Sequence, residues 1–541
     1  MSCPTHRDAC QAFRWEESAR AMGFVAGEPV NLGCAIVDRH AGAGRPALRW
    51  FGKRGETRTY TFDELARLTG RFANVLRARG IGRGDRVAGF LPRIPEMLIA
   101  MIGTWKAGAV YVPIFTGFGP DAIDFRVRHS GARALCTQWE HRARLPEPLP
   151  DGVTIITVAG EAGGVSGDVD FWRAMDGQPE TTAPAARRRD EPAVLLYTSG
   201  STGLPKGVKI AANFLVAIHP HLVHGADLRP DDVFWPTGDP GWGYGLVCYM
   251  GALALGVPVV SHEAAPTPEF CLARLRELGV TNLATTPTLL RGVMARGAAA
   301  AGDGHLRVRS ASSCGEPLNA EVVRFFCEHW GVTVRDQYGS SELGLPIGNF
   351  ATIEMPVKPG SMGLPLPGCT MAVVDDAGHE VGPDVVGHVG MKPHPEGYYS
   401  LGYWNDEDRD REMYRGEWMT CGDLAWRDGD GYFWFEGRAD DVIKSAGYRI
   451  GPFEVESAIL KHPAVAEAAV VGKPDALRGQ IVKAYVVLKP GRTARGGLET
   501  EIVDVVKRQL GRHQYPREVE FVDQLPKTET GKIQRFLLRR R

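Results

Sequence analysis

Between residues 60 and 114 the hydrophobic period changes three times, and that change restricts the possible folds more than any other feature of the chain. Thr61 and Glu64 make a capping box ahead of Phe62, Leu65, Leu68, Phe72, Val75 and Leu76, an apolar stripe at helical spacing. Residues 86–91 then read as a short strand, 94–106 as a second helix and 109–114 as a second strand. Strands separated by helices pair parallel, with the helices covering the sheet. The alternation returns around 232–260 and 280–318. Beyond Gly437 the elements shorten to strands at 468–471 and 482–488, a helix at 501–510 and a strand at 518–522, the pattern of a small α+β unit. The expectation is an α/β fold: a large N-terminal domain, residues 1–438, of mixed, mostly parallel sheets covered by helices, then a small α+β domain, 439–541. No repeat at a solenoid period interrupts it.

Composition narrows the class. The 541 residues carry 63 Lys+Arg against 64 Asp+Glu, a balance that argues against a nucleic-acid or membrane-surface binder relying on net charge. Ten cysteines lie singly, without Cys-x-x-Cys or metal-type spacing, as in a reduced cytosolic protein. The N-terminus lacks a signal-peptide core, and Arg93, Pro95, Glu96 and Lys106 break the best apolar run. A cytoplasmic protein with no membrane span is expected.

After a Pro/Ala/Arg-rich connector at 176–192, an apolar strand at 193–197 leads into Thr198, Ser199, Gly200, Ser201, Thr202, Gly203, Leu204, Pro205, Lys206 and Gly207. Glycines let backbone N–H groups turn toward an anion, hydroxyls donate hydrogen bonds and the lysine adds a charge, so the loop is built to hold phosphate. It lacks the Gly-Lys-Ser/Thr ending of a Walker loop. Four further motifs follow: Ser312-Ser313-Cys314-Gly315-Glu316-Pro317; Asp336-Gln337-Tyr338-Gly339-Ser340-Ser341-Glu342; Thr420-Cys421-Gly422-Asp423 with Gly437-Arg438; and Pro526-Lys527-Thr528-Glu529-Thr530-Gly531-Lys532. Each alone reads as a turn, a solvated charge or a core aromatic. Their order and spacing together are specific.

From about Trp50 to Arg541 that order resembles the adenylate-forming superfamily. The motifs at 447–456 and 531–535 are most similar to those of the short- and medium-chain, AMP-forming acyl-CoA synthetases. The resemblance implies two steps: a carboxylic acid attacks ATP to give acyl-adenylate and pyrophosphate, and coenzyme A then displaces AMP. It implies that 198–206 wraps the leaving phosphates, that Glu342 holds Mg²⁺, and that Tyr338 stacks on adenine beside Asp336 and the Gly315-Glu316-Pro317 turn. Asp423 would accept from the ribose hydroxyls, with Arg438 beside it. Gln337, Gly339, Ser340 and Ser341 fall within the same ATP-binding stretch. Thr198, Glu342 and above all Lys532 would be catalytic, the lysine bridging two anions that repel. The small domain would be mobile, pivoting at Asp440 and bringing Ala446, Gly447, Tyr448 and Arg449 to the pantetheine passage, with Arg478 and Lys507 toward coenzyme A. A protein acyltransferase and deacylase acting on Lys532 are implied as partners, since acylation removes the charge.

Trp242, Tyr244, Cys314 and Gly339 are the acyl-pocket candidates. Gly339 stands where acetate-specific relatives carry a tryptophan, which predicts room for a longer chain, at about 0.8 kcal/mol per buried methylene. The segment at 111–119 looks acetate-like and points the other way. His219, His221 and His224 match no compact metal spacing and are expected at the surface or as a gate. No Gly-x-Ser-x-Gly elbow occurs. The alternatives are an acetate-preferring enzyme, a stand-alone enzyme loading a carrier protein (the nine residues after Lys532 leave no room for a fused carrier), a phosphate-releasing NTPase, and a non-catalytic nucleotide-binding relative.

Overall fold

The computed structural model describes residues 3–160, 165–198, 205–301, 306–439, 441–445, 448–475, 478–510, 514–527 and 533–540, with backbone alone at 301, 444, 448 and 449. The capping box forms as read: Thr61 Oγ1 accepts from Glu64 N, Glu64 accepts from Thr61 N, and helix Phe62–Arg77 follows with its apolar face buried. Strand Arg86–Phe90, helix Pro95–Lys106 and strand Val110–Pro113 succeed it, and the two strands pair parallel. These strands lie inside an eight-stranded sheet. Its far edge is antiparallel: Pro192–Thr198 pairs with Lys206–Ala211, which pairs with Ser400–Tyr403.

A nine-stranded sheet gathers the later alternation. Phe234–Pro236, Asn282–Thr285, Ser310–Cys314 and Val334–Ser340 run parallel in adjacent places, and Gly344–Gly348 returns antiparallel as a hairpin. Helices such as Gly243–Ala254 and Ala320–Trp330 cover it. A third sheet was not anticipated from the sequence. Thr370–Val374, Gly387–Lys392, Trp418–Arg427 and Phe433–Arg438 form an antiparallel sheet, and the connection between its second and third strands carries the short helix Glu407–Glu412 and the edge strand Ser400–Tyr403 of the eight-stranded sheet.

Beyond Arg438 the chain builds a fourth, five-stranded sheet from Ile443–Ser445, Tyr448–Ile450, Val465–Asp475, Gly479–Leu488 and Glu518–Phe521, with helices Pro452–Ile459 and Leu498–Gln509 packed on a core of its own. Its ends are tied together by charge. Arg535 grips the buried Glu456 carboxylate, with Nη2 at 2.8 Å from both oxygens, while Glu456 also accepts from Val470 N at 2.8 Å. No helix among the described residues is long and apolar enough to cross a membrane.

Candidate active site

Three sheets present their ends to one place. From the eight-stranded sheet come Thr198 and Lys206, which sit opposite one another as the last paired residues flanking the phosphate-type loop. Ser199, Gly200, Ser201, Thr202 and Gly203 lie outside the described residues. Partial burial lowers the Lys206 pKa, with Arg409 adding to the effect and Glu342 opposing it. Its ammonium also lies 5.7 Å from the Tyr403 ring centroid.

Glu342 follows strand Val334–Ser340 of the nine-stranded sheet. Tyr403, from the edge strand of the eight-stranded sheet, donates its hydroxyl to Glu342 Oε1 at 2.9 Å, and Ser400 Oγ donates to the Glu342 carbonyl at 2.7 Å. Sequence reasoning did not find Tyr403, because its contact crosses 61 positions and two sheets. Among the described residues no other group bonds the Glu342 carboxylate, which leaves an oxygen-rich, anionic tip suited to a hard divalent cation.

The third sheet supplies Asp423 and Arg438, directly opposed in register on neighbouring strands. Arg438 Nη1 donates to Asp423 Oδ1 at 3.0 Å and to the Cys421 carbonyl at 2.9 Å. Tyr338, buried at the end of its strand, donates its hydroxyl to Asp423 Oδ2 at 2.8 Å. Cys421 Sγ approaches the same oxygen at 3.3 Å. Burial, reinforced by Asp423, holds the Tyr338 phenol well above its usual range. It stays a donor at any working pH.

Asp336 is buried, and burial pushes its pKa well above the carboxylate range. Its Oδ1 has no hydrogen-bond partner among the described residues. A buried acceptor left open in this way is a place for a ligand's donor. Gln337 commits its amide elsewhere: Nε2 donates to Asn349 O at 2.8 Å and Oε1 faces His221 Nδ1 at 3.2 Å. Gly315 takes a φ of +103°, a conformation that glycine tolerates, and the Glu316 carboxylate is held by Thr288 and Arg291. Ser340 Oγ accepts from Leu343 N at 3.0 Å and shapes the turn before Glu342, while Ser341 is partly buried beside it.

The pocket candidates need correction. A Cβ built on Gly339 would fall 2.1 Å from the Gly344 carbonyl oxygen and 2.7 Å from Leu345 Cδ2. The glycine is demanded by the returning hairpin strand. Space for a longer acyl chain therefore does not follow from the bare Cα alone. Trp242 packs against Phe115 and Phe118 with centroids 5.8 and 6.0 Å apart, and its buried Nε1 has no partner among the described residues. Tyr244 shares a 2.8 Å hydrogen bond with Ser312 Oγ, and buried Cys314 lies near it. Of the three histidines expected at the surface or as a gate, His221 is buried and His219 and His224 are partly buried. His221 is fully buried, its pKa lowered by burial to about 4; His219 bonds Ser18 and His224 bonds Thr352. Among the described residues no group of three or more His, Cys, Asp or Glu side chains could hold a metal ion.

On the C-terminal sheet, Arg478 is exposed, and Lys507 lies 3.3 Å from Asp504 and 5.0 Å from the Tyr515 ring centroid. Tyr448 and Arg449 lie on strand Tyr448–Ile450. Asp440, Ala446, Gly447 and Lys532 lie outside the described residues, though the backbone beside Lys532 is anchored by an antiparallel bridge between Lys527 and Ile533.

Residues 37–404 match the family model described as AMP-binding enzyme, and residues 454–532 match its C-terminal domain. An acetyl-coenzyme A synthetase of Bacillus subtilis is 36% identical over 99% of this chain and 94% of its own length. A Brucella canis acyl-CoA synthetase crystal structure superposes with a TM-score of 0.80 at 40% identity, covering 99% of this chain and 98% of that one. An anthranilate CoA ligase in complex with anthranoyl-AMP gives a TM-score of 0.85 at 28% identity, covering 96% and 98%. The phosphate-type loop, the Asp423 cluster and these likenesses agree: the chain belongs to the AMP-binding enzyme family, as an adenylate-forming acyl-CoA synthetase.

Proposed function

We propose that the chain activates a short- to medium-chain carboxylic acid and that the residues above divide the work as follows. Adenine lies on the Tyr338 ring and gives its amino hydrogen to the open Asp336 Oδ1. The ribose hydroxyls donate to Asp423, and the β- and γ-phosphates meet Lys206 and the loop it closes. Glu342 would hold Mg²⁺, which supplies charge neutralisation at the phosphates when bound. An oxygen of the acid bonds to the α-phosphorus as the bond to the bridging oxygen breaks, and pyrophosphate leaves with that electron pair. Lys532 relieves the repulsion between the two anions. The thiolate of coenzyme A then bonds to the acyl carbon, and AMP departs with the electrons of the broken acyl–oxygen bond. The single observation supporting this assignment most strongly is the buried, unpartnered Asp336 Oδ1 one residue pair away from Tyr338, whose hydroxyl is fixed on Asp423.

The remaining assignments belong to the same reading: division at 438/439 with a pivot at Asp440; Ala446, Gly447, Tyr448, Arg449, Arg478 and Lys507 toward coenzyme A; Trp242, Tyr244 and Cys314 at the acyl chain; the cytoplasm as location; and acylation of Lys532 as a switch operated by a protein acyltransferase and deacylase. A second reading, preference for acetate, is favoured by the Bacillus relative. A pyrophosphate-release screen over carboxylic acids, with and without coenzyme A, separates the two. Higher catalytic efficiency on butyrate to octanoate than on acetate supports the first reading, and the reverse supports the second. Release of ADP and phosphate would refute both.

A further inference from the structure

Strand Phe433–Arg438, at the margin of the third sheet, carries Glu436 with its side chain buried. Helix Pro452–Ile459 packs on this strand, and the Gly451 backbone N–H just ahead of it donates to the Glu436 carboxylate. A Cβ built on Gly451 would lie 2.5 Å from Glu436 Oε1, so glycine is what lets the two chains approach. Next to this contact Phe435 and Phe453 meet edge to face, with centroids 6.4 Å apart. Farther along, Asn319 Nδ2 donates to Ser457 Oγ at 3.0 Å. Glu436 therefore sits inside a seam between residues before Arg438 and residues after it.

The charged group facing Glu436 across that seam is another acid, Glu454, in the first turn of the helix. Gln514 Nε2 donates to Glu454 Oε2 at 2.6 Å. Among the described residues, four nearby cations make contacts of their own. Arg535 holds Glu456, Arg539 holds Asp441, Lys461 reaches Glu321 at 4.0 Å, and Arg438 binds Asp423 and the Cys421 carbonyl. An acid buried beside a like charge keeps its proton beyond the ordinary range. Burial first, and Glu454 second, raise Glu436 from 4.5 to about 7.

We propose that Glu436 is a positioning residue: as a neutral acid it lets the C-terminal helix Pro452–Ile459 close on the large body, and as a carboxylate facing Glu454 it drives the seam open. The sign follows from linkage. A closed seam holds this proton more tightly than an open one in which water reaches the acid. The closed arrangement is fully favoured below the ordinary carboxylate range. It then loses population, by up to about tenfold per pH unit, until the buried acid ionises, after which the loss stops. The consequence for turnover rests on the two-step reading above; the seam itself does not.

The test places a fluorescent donor and acceptor at positions 385 and 499 as unnatural amino acids, since Val385 and Glu499 are exposed on opposite sides of the seam. In the full-length protein, energy transfer should change progressively between about pH 4.5 and 7 and level off above that. E436Q, which keeps the shape and hydrogen bonding without the charge, should hold the low-pH value throughout. E454Q should show a shallower response, and it decides the matter if E436Q does not fold. Superposable pH curves for the wild type and the folded Gln variant overturn the proposal. In parallel, the ratio of pyrophosphate exchange to thioester formation should vary with pH in the wild type and be flat in E436Q. A pH-dependent seam without either reaction would leave this proposal standing and sink the functional reading.

Discussion

Replacing Asp423 by Asn tests the centre of the nucleotide site with one atom changed. The substitution removes the charge that Arg438 and Tyr338 share. The fold should survive. The Arg438 side chain is 42% exposed, so water takes over much of its solvation once the charge on the buried Asp423 is gone. Tyr338 still finds an amide oxygen at the same place. The nucleotide loses more. Hydrogen bonds to a charged acceptor contribute about 1.5–3 kcal/mol against roughly 1 for neutral ones. Two ribose hydroxyls together then lose about 2–3 kcal/mol, or on the order of 30- to 150-fold in affinity. The assay is pyrophosphate exchange against ATP concentration, repeated with 2′-deoxy-ATP. Wild type should discriminate against the deoxynucleotide, and Asp423→Asn should shrink that discrimination while raising KM for ATP. A KM within threefold of wild type, or equal use of both nucleotides by wild type, would refute the reasoning.

Three further outcomes follow from the same geometry. Glu342→Gln should raise the Mg²⁺ concentration needed for half-maximal exchange while leaving the fold intact, because Tyr403 can still donate to the amide oxygen; an unchanged Mg²⁺ dependence counts against the metal assignment. Gly339→Ala should destabilise the hairpin by about 1–3 kcal/mol, the usual cost of overpacking, since its Cβ meets the Gly344 carbonyl at 2.1 Å. Thermal unfolding indistinguishable from wild type would show that the strand yields freely. Lys532→Ala should abolish acid-dependent pyrophosphate exchange yet largely spare thioester formation from supplied acyl-adenylate, and an unimpaired first step would remove Lys532 from that role.

What the sequence determined is what neighbouring residues decide among themselves. The period of apolar residues produces the helix at Phe62–Arg77 and the parallel strands beside it, because burial of one face is a local pattern. The phosphate-type loop is recognisable because glycine, hydroxyl and lysine act within a few residues of one another. The motifs that hold Asp336, Asp423 and Glu342 are recognisable for the same reason, as short local runs. Tertiary structure alone decided which groups meet. Tyr338 reaches Asp423 across 85 positions, and Tyr403 reaches Glu342 only because an edge strand of one sheet lies against a turn of another. No spacing rule encodes such contacts, which depend on register and on how sheets stack. The same holds for the buried His221, for Gly339 under its returning strand, and for Glu436. Its acidity is ordinary in sequence and becomes unusual only when a second body closes over it and removes the water.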